Sequence, residues 1–243
     1  MKKEIWQGYA LTLRELLGLA YSPVAVSCLK GPMPAGQGAG RARACRAILE
    51  AGRGTTVMID RRHNLCFGAG WHLGFYRPAN ARAEEAARRF VVEGEKLFCS
   101  YEALDRLMQG LGPVPDHRDS YLVLAPMAEA DNVPAVVIFI VDPEAASRLL
   151  ALAMFKDGRM PQLKIGGPTC RLSISYPLAS GEINISLFDH TSRRLARAPR
   201  DTLLVSLPYA YLPSVIDAID GCSAGKAPVA GPSISRRAKP SVS

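Results

Sequence analysis

What this sequence lacks narrows its class before any residue is singled out. Its longest apolar stretches fall well short of the roughly 20 residues that a bilayer-spanning helix needs; the run Val133–Val141 contains Pro134 and stops at Asp142. A transmembrane segment is therefore not expected. None of the six cysteines, at 28, 45, 66, 99, 170 and 222, stands in the C-x-x-C spacing of a zinc knuckle or a thioredoxin motif. Walker, G-x-S-x-G and H-E-x-x-H sequences are missing too, which removes the common nucleotide, hydrolase and zinc-protease signatures. Gly68-x-Gly70 is followed only by Gly74, so the dinucleotide fingerprint is not met. An uninterrupted apolar leader is absent as well, because Glu4, Gln7, Arg14 and Glu15 break up the amino end. The expectation is a cytoplasmic protein.

What is present fits a globular chain. Its 243 residues are 48% hydrophobic and 21% charged, enough to build a sizeable core. The formal charge of +8 raises nucleic acid as a partner, but the basic residues form no single stripe. They occur as short runs, "GRARACR", "AARRF" and "TSRRLARAPR", and in the Ala-, Gly-, Ser- and Pro-rich carboxyl end, the composition of solvated faces and a disordered tail. Nucleic acid is thus disfavoured, and small anions remain the expected partners. Whether the chain forms a homo-oligomer is left open by the sequence.

Periodicity orders the chain. "EIWQGYALTLRELLGL" spaces its apolar residues as an amphipathic helix, "PVAVSCL" reads as a buried strand, and "RARACRAILEAGRG" reads as a helix with Cys45 near its start. "TTVMID", "YLVLAP" and "AVVIFIV" are expected strands, while "ARAEEAARRFVVEGEKL" and "SYEALDRLMQGL" are expected helices, the latter capped by Ser100. Asp142 and Pro143 open another helix. "CRLSISYPL", "EINISL" and "TLLVSLP" are read as extended, and "LPSVIDAID" as a last helix. The sum is a single α+β domain over residues 1–221, with a mixed or largely antiparallel sheet and surrounding helices, followed by a disordered basic tail over 222–243.

The residues that carry chemistry are thiols in unusual settings. Cys45 lies among Arg41, Arg43 and Arg46 near a helix start, where positive charge favours thiolate. Cys66 precedes the bend containing Gly68 and Gly70, and Cys170 follows Gly166, Gly167 and Pro168, a turn able to aim backbone amides at an anion or a cluster sulfur. Cys28 and Cys99 read as packing, and Cys222 as part of the tail. Three thiolates from separate loops would leave one iron of a four-iron cluster open, whereas zinc would need a fourth ligand such as His63 or His72. His63 and His190 are candidate extra ligands or proton donors, with hydrogen-bonded loop residues as the plainer reading; Asp189 reads equally as a helix cap. Arg46 and Arg193 are candidate anion-positioning groups. Two other classes remain beside an iron–sulfur or other metal protein: a non-catalytic binding protein with its cysteines in the core, and a metal-free thiol redox protein. Enzyme or not stays open.

The pieces "SPVAVSCL", "RACRAILEAGRGTTVMIDRRHNLCFGAGWHLGF", "VPAVVIFIVDPEAASRLLALAMF", "GGPTCRLSISYPLASGEINISLFDHTSRR" and "TLLVSLP" run in order across most of residues 20 to 208. Together they resemble the domain of unknown function family 169, an archaeal and bacterial group described by its cysteines. The resemblance holds at Cys45, Cys66 and Cys170. It implies a cytoplasmic prokaryotic protein with a cysteine site and supplies no reaction. Some relatives carry a further cysteine where this chain has Phe188 or Asp189, so a fourth sulfur ligand is not implied here.

Overall fold

The computed structural model describes residues 3–34 and 41–226. Fifteen helices and strands follow in chain order: α1 (Lys3–Leu16), β1 (Val24–Lys30), α2 (Ala44–Gly52), β2 (Val57–Ile59), α3 (Phe67–His72), α4 (Ala81–Arg89), α5 (Tyr101–Leu111), β3 (Ser120–Pro126), β4 (Val136–Val141), α6 (Pro143–Met154), α7 (Tyr176–Ser180), β5 (Asn184–Ser186), α8 (His190–Ala196), β6 (Leu203–Pro208) and α9 (Leu212–Asp217). The six strands pair antiparallel throughout in the order β2-β3-β1-β4-β6-β5. This is the single α+β domain that the alternation of patterns predicted.

Strand pleating explains how the core divides in two. Successive side chains of a strand point to opposite faces, and β4, in the middle of the sheet, is buried along its whole length. Val137, Phe139 and Val141 join Trp6, Leu13, Leu149 and Val215 on the face covered by α1, α6 and α9. Val136, Ile138 and Ile140 join Ile48, Leu49, Ile174 and Phe188 on the other face, with α2 and the segments around α3 and α8. Cys45, Cys66 and Cys170 all belong to this second face.

Local chemistry sets the helix ends. The Asp142 carboxylate accepts from the Ala145 N–H at 2.8 Å, with Pro143 at the first helical position. Removing that acceptor in Asp142→Ala exposes an unpaired amide, and chemical denaturation is expected to show a loss of about 1 kcal/mol. Ser100 caps α5 through the Ala103 N–H at 3.2 Å.

Three expectations are corrected. The stretch read as the strand "CRLSISYPL" is a π-helical turn, Arg171–Ser175, running into α7. Its leucine–serine alternation mimics a strand facing water, yet all five residues of the turn are buried, so the pattern marks no wet face. Cys99, read as packing, is exposed. Cys222, assigned to the tail, is buried against the first face, and the packed chain continues to Lys226, where Arg148 donates to the carbonyls of Ala224 and Lys226. The rest of the expected tail, 227–243, lies outside the described residues.

Candidate functional site

Two backbone devices gather the three thiols. The first is an isolated parallel bridge between Ala42 and Asn64. The Ala42 N–H donates to the His63 carbonyl and the Leu65 N–H to the Ala42 carbonyl, each at 2.9 Å. This pairing sets the start of α2, with Cys45, beside the start of α3, with Cys66. The Asn64 side chain fixes the local turn, accepting from the Cys66 N–H and donating to the Cys66 carbonyl. Cys66 is then the cap of α3: its sulfur accepts from the Ala69 N–H at 3.4 Å.

The second device is Asp189. One carboxylate oxygen accepts from the Ser192 N–H at 2.7 Å, capping α8. The other accepts from the Thr169 N–H and hydroxyl, both at 2.9 Å, and from the Ser192 hydroxyl at 2.6 Å. The loop that ends in Cys170 is thereby tied to α8, whose Ser192 faces the Cys45 thiol. Burial pushes the half-buried Asp189 upward, but the hydrogen bonds from Ser192 and Thr169 outweigh it and hold the carboxyl below its ordinary range. The preceding Phe188 adopts a left-handed φ of 57°, a strained setting for a bulky residue, beneath the Arg193 guanidinium.

Electrostatics report how close the thiols lie. Burial pushes the Cys170 thiol well above its ordinary value, and charge on Cys66, Asp189 and Cys45 would push it further. Burial likewise raises Cys45, opposed by the Ser192 hydroxyl and reinforced by charge on Cys66 and Asp189. Tyr76 is raised by burial and then by Cys66 and Cys170, and its hydroxyl donates to the Phe67 carbonyl. Thiols far apart in sequence thus share one neighbourhood. Among the described residues, however, no three His, Cys, Asp or Glu side chains close on a point in the way a single metal ion requires.

Of the four glycines proposed to line the thiol site, Gly70 is the one the packing demands. A Cβ there would lie 2.0 Å from the Tyr76 ring and 2.8 Å from the Asn64 amide. Gly68 and Gly166 have open space around them, and Gly167 would meet Leu111 at 3.2 Å. Gly74, at φ 77°, lets the end of α3 approach the Pro115 carbonyl, which a Cβ would meet at 1.9 Å.

The remaining candidates are engaged elsewhere or stand apart. Arg46 is exposed and bonds Glu50 one turn along its own helix. Arg193 donates to the carbonyls of Pro199, Leu187 and Thr202, stapling both ends of α8 to the chain beside it. His63 faces Asp60, its Nδ1 at 2.6 Å from the carboxylate, and His190 is exposed as the first residue of α8. Sequence reasoning missed Tyr76, Thr169, Ser192 and Arg171. Only the sequence neighbourhood of Cys66, Cys170 and Asp189 pointed toward them.

Compared with known proteins, residues 12–218 match the profile of a family described as uncharacterised ArCR. No curated protein and no solved structure matches the chain.

Proposed function

The chain belongs to the domain of unknown function family 169, and we propose that it is a metal-binding protein whose Cys45, Cys66 and Cys170 hold an iron–sulfur cluster. One observation carries this reading: Cys45, Cys66 and Cys170, from distant loops, lie on one side of the core, where the Cys45 and Cys170 thiols, raised first by burial, are raised further by charge on Cys66. The protonation of Cys45 and Cys170 supports metal rather than bare thiol chemistry at those two positions. Attack on a disulfide or electrophile needs thiolate, and burial holds Cys45 and Cys170 in the neutral form. Cys45 and Cys170 would hold a metal as thiolates, a form that coordination favours despite their burial. Three thiolates are the number that leaves one iron of a four-iron cluster open, whereas zinc would need a fourth ligand.

Held by three thiolates, a cluster supplies electron transfer or a Lewis-acidic iron open to a further ligand. The chain's own residues do the positioning. Asp189 fixes the Cys170 loop on α8, the Ala42–Asn64 bridge sets Cys45 beside Cys66, and the Ala69 N–H donates to the Cys66 sulfur and so orients it. The setting is a reducing cytoplasm, where free thiols persist. Protein prepared without air is expected to be brown and to carry iron and acid-labile sulfide in equal amounts. Colourless, iron-free material from the same preparation would contradict the proposal.

A further inference from the structure

Beside Cys170 the interior holds a cation that has no ion-pair partner among the described residues. Arg171 is 2% exposed. One terminal nitrogen, Nη2, donates to the carbonyls of Leu111 and Gly112 at 3.0 Å and to that of Pro113. Its Nε and Nη1 are buried without a partner, and none of the ion pairs among the described residues includes it. The His72 ring, on a residue 8% exposed, also leaves Nδ1 buried and unpartnered. His72 and Arg171 lie where α3 ends against the π-helical turn, near enough for the Arg171 charge to act on the imidazole. There the Ser175 hydroxyl donates to the His72 carbonyl at 2.7 Å, and Arg171, four residues earlier, lies close to the same face of the wide turn.

Isolated buried charge stays costly even after the surroundings relax. Neutral carbonyls satisfy some donors of Arg171 but leave its charge. Water would do the same. The nearby Asp189 carboxylate offers no partner, because both of its oxygens are occupied by Ser192 and Thr169. A negative partner from outside the chain is the missing element. We infer that Arg171 and His72 form a binding site for a small oxyanion, a carboxylate or a tetrahedral inorganic anion, whose oxygens accept from Arg171 Nε and Nη1 and from His72 Nδ1–H. The site stands without any metal; only its assignment as the substrate pocket of the thiol centre rests on the cluster reading.

Formate and inorganic phosphate, titrated separately into the metal-free full chain at ionic strength held constant with chloride, test the inference by thermal unfolding. The expected result is a saturable rise in Tm of about 3 °C or more with at least one of them, abolished in Arg171→Met and weakened about tenfold in apparent affinity in His72→Phe. Which anion binds tells planar from tetrahedral recognition. Equal responses in the wild type and Arg171→Met would show a general salt effect and overturn the site, as would no response to either anion. Should Arg171→Met fail to fold, an unchanged response in His72→Phe overturns it equally. A Cys45→Ser, Cys66→Ser, Cys170→Ser chain separates the two proposals. An anion response kept there beside an iron-free wild type removes only the cluster, and an iron-bearing wild type without the response removes only the anion site.

Discussion

Asp189→Ala is expected to lower folding stability by about 4 kcal/mol, a fall in Tm of about 10 °C. The carboxylate accepts four hydrogen bonds, two from Thr169 and two from Ser192. Bonds to a charged acceptor are stronger than neutral ones, and truncation also strands the buried Thr169 donors. Asp189→Asn keeps one acceptor oxygen and is expected to lose roughly half as much. Since Thr169 directly precedes Cys170, labelling of that thiol in native protein should quicken in the alanine variant. Chemical denaturation and thiol labelling read both effects. A stability within about 0.5 kcal/mol of the wild type, the range of an ordinary surface change, would show that the clamp is not what holds the loop.

The second large effect is a loss of stability on acidification governed by His72. Burial, reinforced by the Arg171 charge and partly offset by Asp189, holds its pKa down to about 4 against 6.5 for a free imidazole. Trp71 stacks on the ring at 5.8 Å, and Ser175 bonds its carbonyl. A base whose folded pKa is depressed is neutral in the fold and takes up its proton more readily when unfolded. Its contribution is therefore complete above pH 6.5 and declines as pH falls toward about 4, by about 3 kcal/mol in all. His117, lowered by burial although it lies against the Leu73 carbonyl, adds a slope of the same sign. Asp189 acts in a lower window: its contribution persists above the unfolded carboxyl pKa of about 3.9 and disappears as pH falls through its depressed folded value. Urea midpoints measured from neutral pH to pH 4 should fall steeply in the wild type and much less in His72→Phe. Parallel curves for the two chains would refute the assignment.

Much of the architecture was legible because burial on one side writes a period into the chain. Leu13 and Trp6 on α1, the Asp142–Pro143 start of α6 and the apolar run of β4 all carried that signal. It failed at Arg171–Ser175, where a full coat of protein gave serine and leucine the same surroundings and the alternation lost its meaning. The site divided in the same way. Cys45, Cys66 and Cys170 stood out because glycine, proline or arginine surrounds each of them, while the Asp189 clamp looked like an ordinary helix cap, which it also is. Arg171 left no trace, since an arginine in a sequence reads as surface and its burial follows from the meeting of α3, the end of α5 and the π-helical turn. Arg193 misled for the complementary reason. A guanidinium that staples three backbone carbonyls is indistinguishable in sequence from one that awaits an anion.

The central claim is that three particular sulfurs act together, and iron and sulfide content across six single Cys→Ser variants, prepared without air, addresses it most directly. Substitution at 45, 66 or 170 should each remove most of the bound iron, while Cys28→Ser, Cys99→Ser and Cys222→Ser keep the wild-type amount. Iron content that is indifferent to residues 45, 66 and 170, or that follows one of the other three cysteines, would contradict the account.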